Sequence, residues 1–217
     1  MCGRLANLLP GDAMARLFGA VPGNDLPPTP NYNVCPTNRI HVVRSGGMRR
    51  LVAMRWGFVP RWYKSPSDGP LLINARGESL ADKPAFREAA RARRCLIVAS
   101  GFYEWSKGAD GARLPWYIGR RDGVVMAFAG IWQQWGELGA TCAIVTTRAP
   151  ADLEAIHHRV PVMVEAENWP LWLGEAGHGA ARLLRPPEAG ALKFHRVSMA
   201  VNSSRASGPE LIEPIDA

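Results

Sequence analysis

The sequence predicts an α+β fold: one domain, residues 1–217, with a largely antiparallel, barrel-like β core and short peripheral helices. Three observations lead there. Of the 217 residues, 47% are hydrophobic, enough for a substantial core and too many for a disordered chain. Strand-like and helix-like segments are mixed, without the strict alternation of a parallel α/β sheet. Turn signals recur throughout, and no linker-like stretch divides the chain.

Taken in order, residues 7–19 read as a short amphipathic helix before a Pro-rich turn at Pro27–Pro30. Arg39–Val52 has the pattern of a hairpin turning at Ser45-Gly46-Gly47. Leu71–Ala75 reads as a buried strand, and Lys83–Arg94, rich in Ala and Arg, as a helix. The apolar runs Cys95–Trp105, Gly123–Trp132 and Ala143–Thr147 read as strands. Pro150–His158 reads as a short helix with Pro in its first turn. Ala166–Leu173 and Gly179–Leu184 add minor helices, and Phe194–Val201 a last strand.

Composition narrows the functional classes. The longest apolar stretch, Gly123 to Trp132, falls short of the roughly 20 residues a membrane helix needs. MCGRLANLLP lacks the ordered regions of a secretory leader, so a cytoplasmic protein is expected. The formal charge is +7, carried by 26 Lys+Arg against 19 Asp+Glu. Nearly all the cations are arginine. That excess fits a phosphate-binding surface, since the guanidinium fork matches phosphate oxygens, and it fits equally a GC-rich gene. Eight Trp add rings able to stack on unpaired bases, although most are expected in the core.

Four places carry groups suited to chemistry. The first is Cys2. The other cysteines, Cys35, Cys95 and Cys142, show no zinc or redox spacing, and Cys95 and Cys142 lie in apolar runs. Removal of Met1 would leave Cys2 with a free α-amine beside its thiol. The amine, with a pKa of about 7.7–8.0, forms imines with aldehydes at neutral pH. The thiol on the adjacent carbon can then close a five-membered thiazolidine ring. The second place is Glu104 in GFYEW, where flanking aromatics strip water from the carboxylate and favour proton transfer near neutral pH. The third is Asn74 in LLINARGES; period-two geometry puts Leu72, Asn74 and Arg76 on one strand face, able to hold a sugar oxygen and its phosphate. The fourth is the histidine pair in LEAIHHRVP. Helical phase turns His157 inward with Leu153 and Ile156, and turns His158 away.

Read in order, MCGR, YNVCPT, RWGFVPRW, INARGES, RRCLIVASGFYEW, IHHRVP and VNSS with its trailing PELIEP resemble the SRAP family over nearly the whole chain. Its members are the SOS-response-associated peptidases, also called abasic-site processing proteins. The resemblance implies that Cys2 crosslinks to a ring-opened abasic site in single-stranded DNA, with Asn74, Glu104 and His157 in the family's active-site positions. It implies DNA-phosphate contacts at Arg76 and Arg159, with Arg4, Asn33 and Trp62 as further DNA-binding residues. This chain departs from the family pattern at His158, where an acidic residue is usual, and at Val160, Val98 and Ser100.

The expectation is therefore an abasic-site crosslinking enzyme that works as a monomer on single-stranded DNA, with neither metal nor organic cofactor. Two other readings stay open: an N-terminal-nucleophile cysteine peptidase in which the Cys2 thiol attacks an acyl group, and a non-catalytic single-strand-binding module. Dependence on the α-amine separates the three.

Overall fold

The protein is described here from a computed structural model covering residues 2–215. Among the described residues, thirteen strands run in chain order as β1 (Leu5–Asn7), β2 (Val21–Pro22), β3 (Asn31–Val34), β4 (Arg39–Arg44), β5 (Arg50–Trp56), β6 (Asn74–Arg76), β7 (Arg94–Ala99), β8 (Gly101–Lys107), β9 (Arg113–Arg120), β10 (Met126–Trp135), β11 (Gly139–Arg148), β12 (Arg159–Pro161) and β13 (Leu192–Arg196). The helices are α1 (Gly11–Phe18), α2 (Pro84–Ala92) and α3 (Trp169–Leu173), with several one-turn 3-10 segments between elements.

The expected α+β fold with a barrel-like core is what forms. Antiparallel pairing runs β11-β10-β7-β4-β5, and a parallel pairing of Thr141 with Arg55 and Cys142 with Trp56 closes the ring. A second sheet, in the order β13-β9-β8-β1-β3, stands against the barrel. Alternation along the barrel strands divides the core. Leu96, Val98, Ala129, Ala143 and Val145 join a cluster with Met14 and Phe18 of α1, Phe86 of α2 and Trp172 of α3. Cys95, Ile97, Phe128, Cys142 and Ile144 join a different cluster with Cys2, Leu5, Phe102 and Ile118. Cys2 thus lies inside the core where the second sheet meets the barrel.

Four local expectations are corrected. Cys95–Trp105 is two strands in two sheets, broken at Ser100–Gly101, where the chain leaves the barrel. A Cβ at Gly101 would lie 2.2 Å from the Tyr117 ring, so only glycine lets β9 close over this crossing. Residues 150–158 form successive turns instead of a helix, tied back by the Ala149 N–H donating to the His158 carbonyl at 3.0 Å. The strand expected at Phe194–Val201 ends at Arg196 and gives way to a 3-10 turn at Met199–Asn202. The helix expected over residues 7–19 begins only at Gly11, because Leu5–Asn7 pairs as β1 with both β3 and β8.

Candidate active site

Each proposed catalytic residue comes from a different element. Cys2 precedes β1 and is buried. Asn74 opens β6, which pairs in parallel with β11 through Ile144. Its side-chain amide donates to the Cys2 carbonyl at 2.8 Å, fixing the main chain of the residue whose α-amine and thiol are of interest. The approach to β6 is itself anchored, since the buried Trp56 indole donates to the Ile73 carbonyl at 3.0 Å. Glu104 lies in the middle of β8 opposite Trp116 of β9 and is only 3% exposed. His157 ends the turns before β12, and its Nδ1 stands 3.9 Å from Glu104 Oε1.

Burial sets the electrostatics. It pushes the Glu104 carboxyl up to about 7, with Arg113 pulling weakly the other way. It pulls His157 down to about 4, helped by the neighbouring His158 and Arg159 charges. Between those values both groups are uncharged, so their approach is a contact of neutral acid and neutral imidazole. Burial, and after it the Glu104 carboxylate, raises the Cys2 thiol well above its ordinary value. At neutral pH the sulfur therefore carries its proton, and a group poised near pH 7 lies beside it to accept that proton.

A cleft of about 570 Å³ is lined by Arg4, Glu104, Trp105, Arg113, His157 and Asn202 among others, while Cys2 lies buried and Asn74 stands outside the lining. Trp105 forms one wall. The guanidinium carbons of Arg113 and Arg4 lie 5.0 and 5.8 Å from its ring centroid, and its indole N–H donates to Asn202 Oδ1 at 2.6 Å. Arg4 also donates to the Val201 carbonyl at 2.8 Å and to Asn33 Oδ1. Asn33 is buried, and its amide donates to the Ser203 and Ala206 carbonyls. It therefore holds the 201–206 segment and Arg4 in place from beneath the surface.

A second groove, of about 720 Å³, is lined by Arg76, Glu78, Arg148, Glu154, His158 and Arg159. The stacked rings of His157 and His158, 4.4 Å apart, stand between the two openings, with His157 on the cleft and His158 on the groove. His157 is the more buried of the two, but without a helix the rings stack side by side instead of turning apart as helical phase predicts. Arg76 is exposed on β6, whereas Arg159 is bound by Glu78. Trp62, 59% exposed on the loop between β5 and β6, lies against Tyr63 and belongs to neither lining. Among the described residues, no three of His, Cys, Asp and Glu gather as a metal-binding group. Sequence reasoning missed Arg113, which sits on an unrecognised strand, and the wall role of Trp105; the GFYEW motif held the signal for the latter.

A family model described as SOS response associated peptidase (SRAP) matches residues 1–204. The chain belongs to this family. Among SRAP relatives, the abasic site processing protein YoqW of Bacillus subtilis is 37% identical over 192 residues, covering 85% of this chain and 86% of the relative. The abasic site processing protein HMCES of Pongo abelii is 28% identical, covering 100% of this chain and 77% of the relative. A crystal structure of a protein from Bacteroides thetaiotaomicron has a TM-score of 0.86 at 22% identity, covering 99% of this chain and 100% of that one, a likeness of fold.

Proposed function

We propose that this SRAP protein processes abasic sites in DNA by covalent capture through Cys2. The observation that carries the reading is that buried Cys2, held through its carbonyl by Asn74, lies next to a carboxyl poised near pH 7, which together with an imidazole kept neutral lines an arginine-rich cleft.

Once Met1 is removed, the Cys2 α-amine attacks the aldehyde carbon of a ring-opened deoxyribose. In the ring opening that exposes this aldehyde, the anomeric hydroxyl gives up a proton and the ring oxygen gains one, while the neutral His157 imidazole donates a hydrogen bond to that oxygen. Loss of water gives an imine, and the thiol then adds to the imine carbon. The S–C bond forms and the S–H proton passes by way of Glu104 to the nitrogen, leaving a thiazolidine. The net change is aldehyde plus aminothiol to ring plus water. The same proton path run backwards releases the crosslink. The imine stage also allows strand cleavage by β-elimination, so lyase activity belongs to the same reading.

Single-stranded DNA would lie with its phosphates along Arg76 and Arg159 and near Arg4, while Trp62 stacks on a base. Asn33 would serve this surface by holding Arg4. A monomer suffices, because one chain supplies every group named.

The test is incubation of mature protein with abasic and with intact single-stranded oligonucleotide, followed by a denaturing gel. A slow-migrating product with abasic DNA alone is expected, and none with Cys2→Ala. A product with intact DNA, or equal product from Cys2→Ala, would defeat the proposal.

A further inference from the structure

Glu78 stands outside the cleft, on the single 3-10 turn Gly77–Ser79 that follows β6. Its carboxylate accepts from both ends of the Arg159 guanidinium, Nη1 to Oε1 at 2.7 Å and Nη2 to Oε2 at 2.8 Å. Nη2 also donates to the Thr146 carbonyl at 2.7 Å. The Arg159 side chain is 11% exposed, so the fork is held firmly from two directions. β6 and β12 both pair with the end of β11, Arg76 with Thr146 and Arg159 with Arg148. The Glu78–Arg159 pair thus ties the strand carrying Asn74 to the residue two places beyond His157.

That residue decides where the His157 proton sits. Nδ1 of His157 has two main-chain neighbours, both from Arg159: the N–H at 2.9 Å and the carbonyl oxygen at 3.2 Å. Accepting from the N–H requires a bare Nδ1 and a proton on Nε2. Donating to the carbonyl requires the proton on Nδ1. These are the two tautomers of one neutral ring, and a small shift of the Arg159 main chain exchanges them. We propose that Glu78 is a positioning residue which, by clamping Arg159, keeps its N–H on Nδ1 and the His157 proton on Nε2. Only that tautomer leaves Nε2 able to donate to a sugar oxygen.

Charged and titratable groups that act on the ring include the chain's N-terminal amine, Glu104 at 3.9 Å, the stacked His158 and Arg159. Glu78 acts on the ring through Arg159. The catalytic use of the tautomer rests on the abasic-site reading; the tautomer itself does not.

Long-range proton–nitrogen NMR of histidine-labelled full-length protein reads the tautomer directly. The wild type is expected to show His157 protonated at Nε2 and titrating well below an ordinary histidine. In Glu78→Gln, and independently in Arg159→Lys, which keeps the charge but loses the fork, His157 should show mixed tautomers and titrate higher. Single-turnover crosslinking by Glu78→Gln should fall about tenfold, as expected for partial loss of one hydrogen-bond donor to a developing oxyanion. Its affinity for intact single strands should hold or tighten, because a negative charge has left the groove. Glu78→Asp, with its carboxylate on a shorter stem, should fall between. An unchanged His157 tautomer and titration in folded Glu78→Gln would overturn the proposal, as would the same result in Arg159→Lys if the Gln variant fails to fold. Shifted tautomers in a protein that never captures abasic DNA would uphold the positioning role and defeat the DNA reading.

Discussion

Glu104 and His157 have folded pKa values displaced in opposite directions, which makes their contributions to stability separable by pH. A carboxyl at about 7 in the fold and 4.5 unfolded binds more protons folded than unfolded between those values. Stability is therefore lost as pH rises through that window, and the whole cost is present above pH 7. His157, at about 4 folded and 6.5 unfolded, binds fewer protons folded, so its contribution grows as pH rises from about 4 to 6.5. Glu104→Gln should consequently melt higher than wild type at pH 8, with a smaller gain or none at pH 5. Melting curves at the two pH values check the sign, and a gain confined to acid would contradict it. The same variant should slow single-turnover crosslinking about a hundredfold, the usual scale for losing a general acid–base. Equal rates in the two proteins would reduce Glu104 to a packing residue.

The crossing from β7 to β8 carries Glu104 out of the barrel and into the cleft, and it depends on one small residue. Gly101→Ala would press a methyl against the Tyr117 ring, which is buried and packed edge-on to Tyr103. Overpacking of this kind costs about 1–3 kcal/mol, measurable by denaturant unfolding; an unchanged midpoint would show that Tyr117 yields freely. This junction also shows what the sequence leaves hidden. The run CLIVASGFYEW is apolar on both sides of Ser100, so nothing in its pattern marks a change of sheet. Pro115 and Gly119 interrupt the alternation of β9, so the sequence pattern marks neither that strand nor the Arg113 that it carries. The turns at 150–158 contain helix-forming residues, but the main-chain bond from Ala149 to His158 closes them as a loop. Local patterns did suffice for the β4–β5 hairpin, for α2 and for the strand face shared by Asn74 and Arg76. Glu78, in the same INARGES motif, was not legible, because its partner Arg159 lies 81 residues away.

Over the whole molecule, the surplus of positive charge acts through where it lies. Arg76 is exposed, whereas Arg159 and Arg148 already hold carboxylates, so the cations of the groove are only partly available to a DNA strand of the kind proposed. Arg76→Ala should weaken binding of intact single-stranded DNA and reduce the salt slope by about one. Trp62→Ala should weaken binding with the slope unchanged, since stacking releases no counterion. A salt titration of both variants tests this pair; identical slopes for Arg76→Ala and wild type would take Arg76 off the strand path. In the proposed function the hold on damage comes from the covalent bond, which needs two nucleophiles on one residue, and not from the affinity of the groove. The most direct test is the intact mass of the denaturation-resistant product formed with an abasic single-stranded oligonucleotide. The predicted mass is that of the chain without Met1 plus the oligonucleotide minus one water, and the product should vanish when the α-amine is acetylated. Cys2→Ser should give only an adduct that survives after borohydride reduction. A product that retains Met1, or that forms equally with the α-amine blocked, would contradict capture through the Cys2 aminothiol.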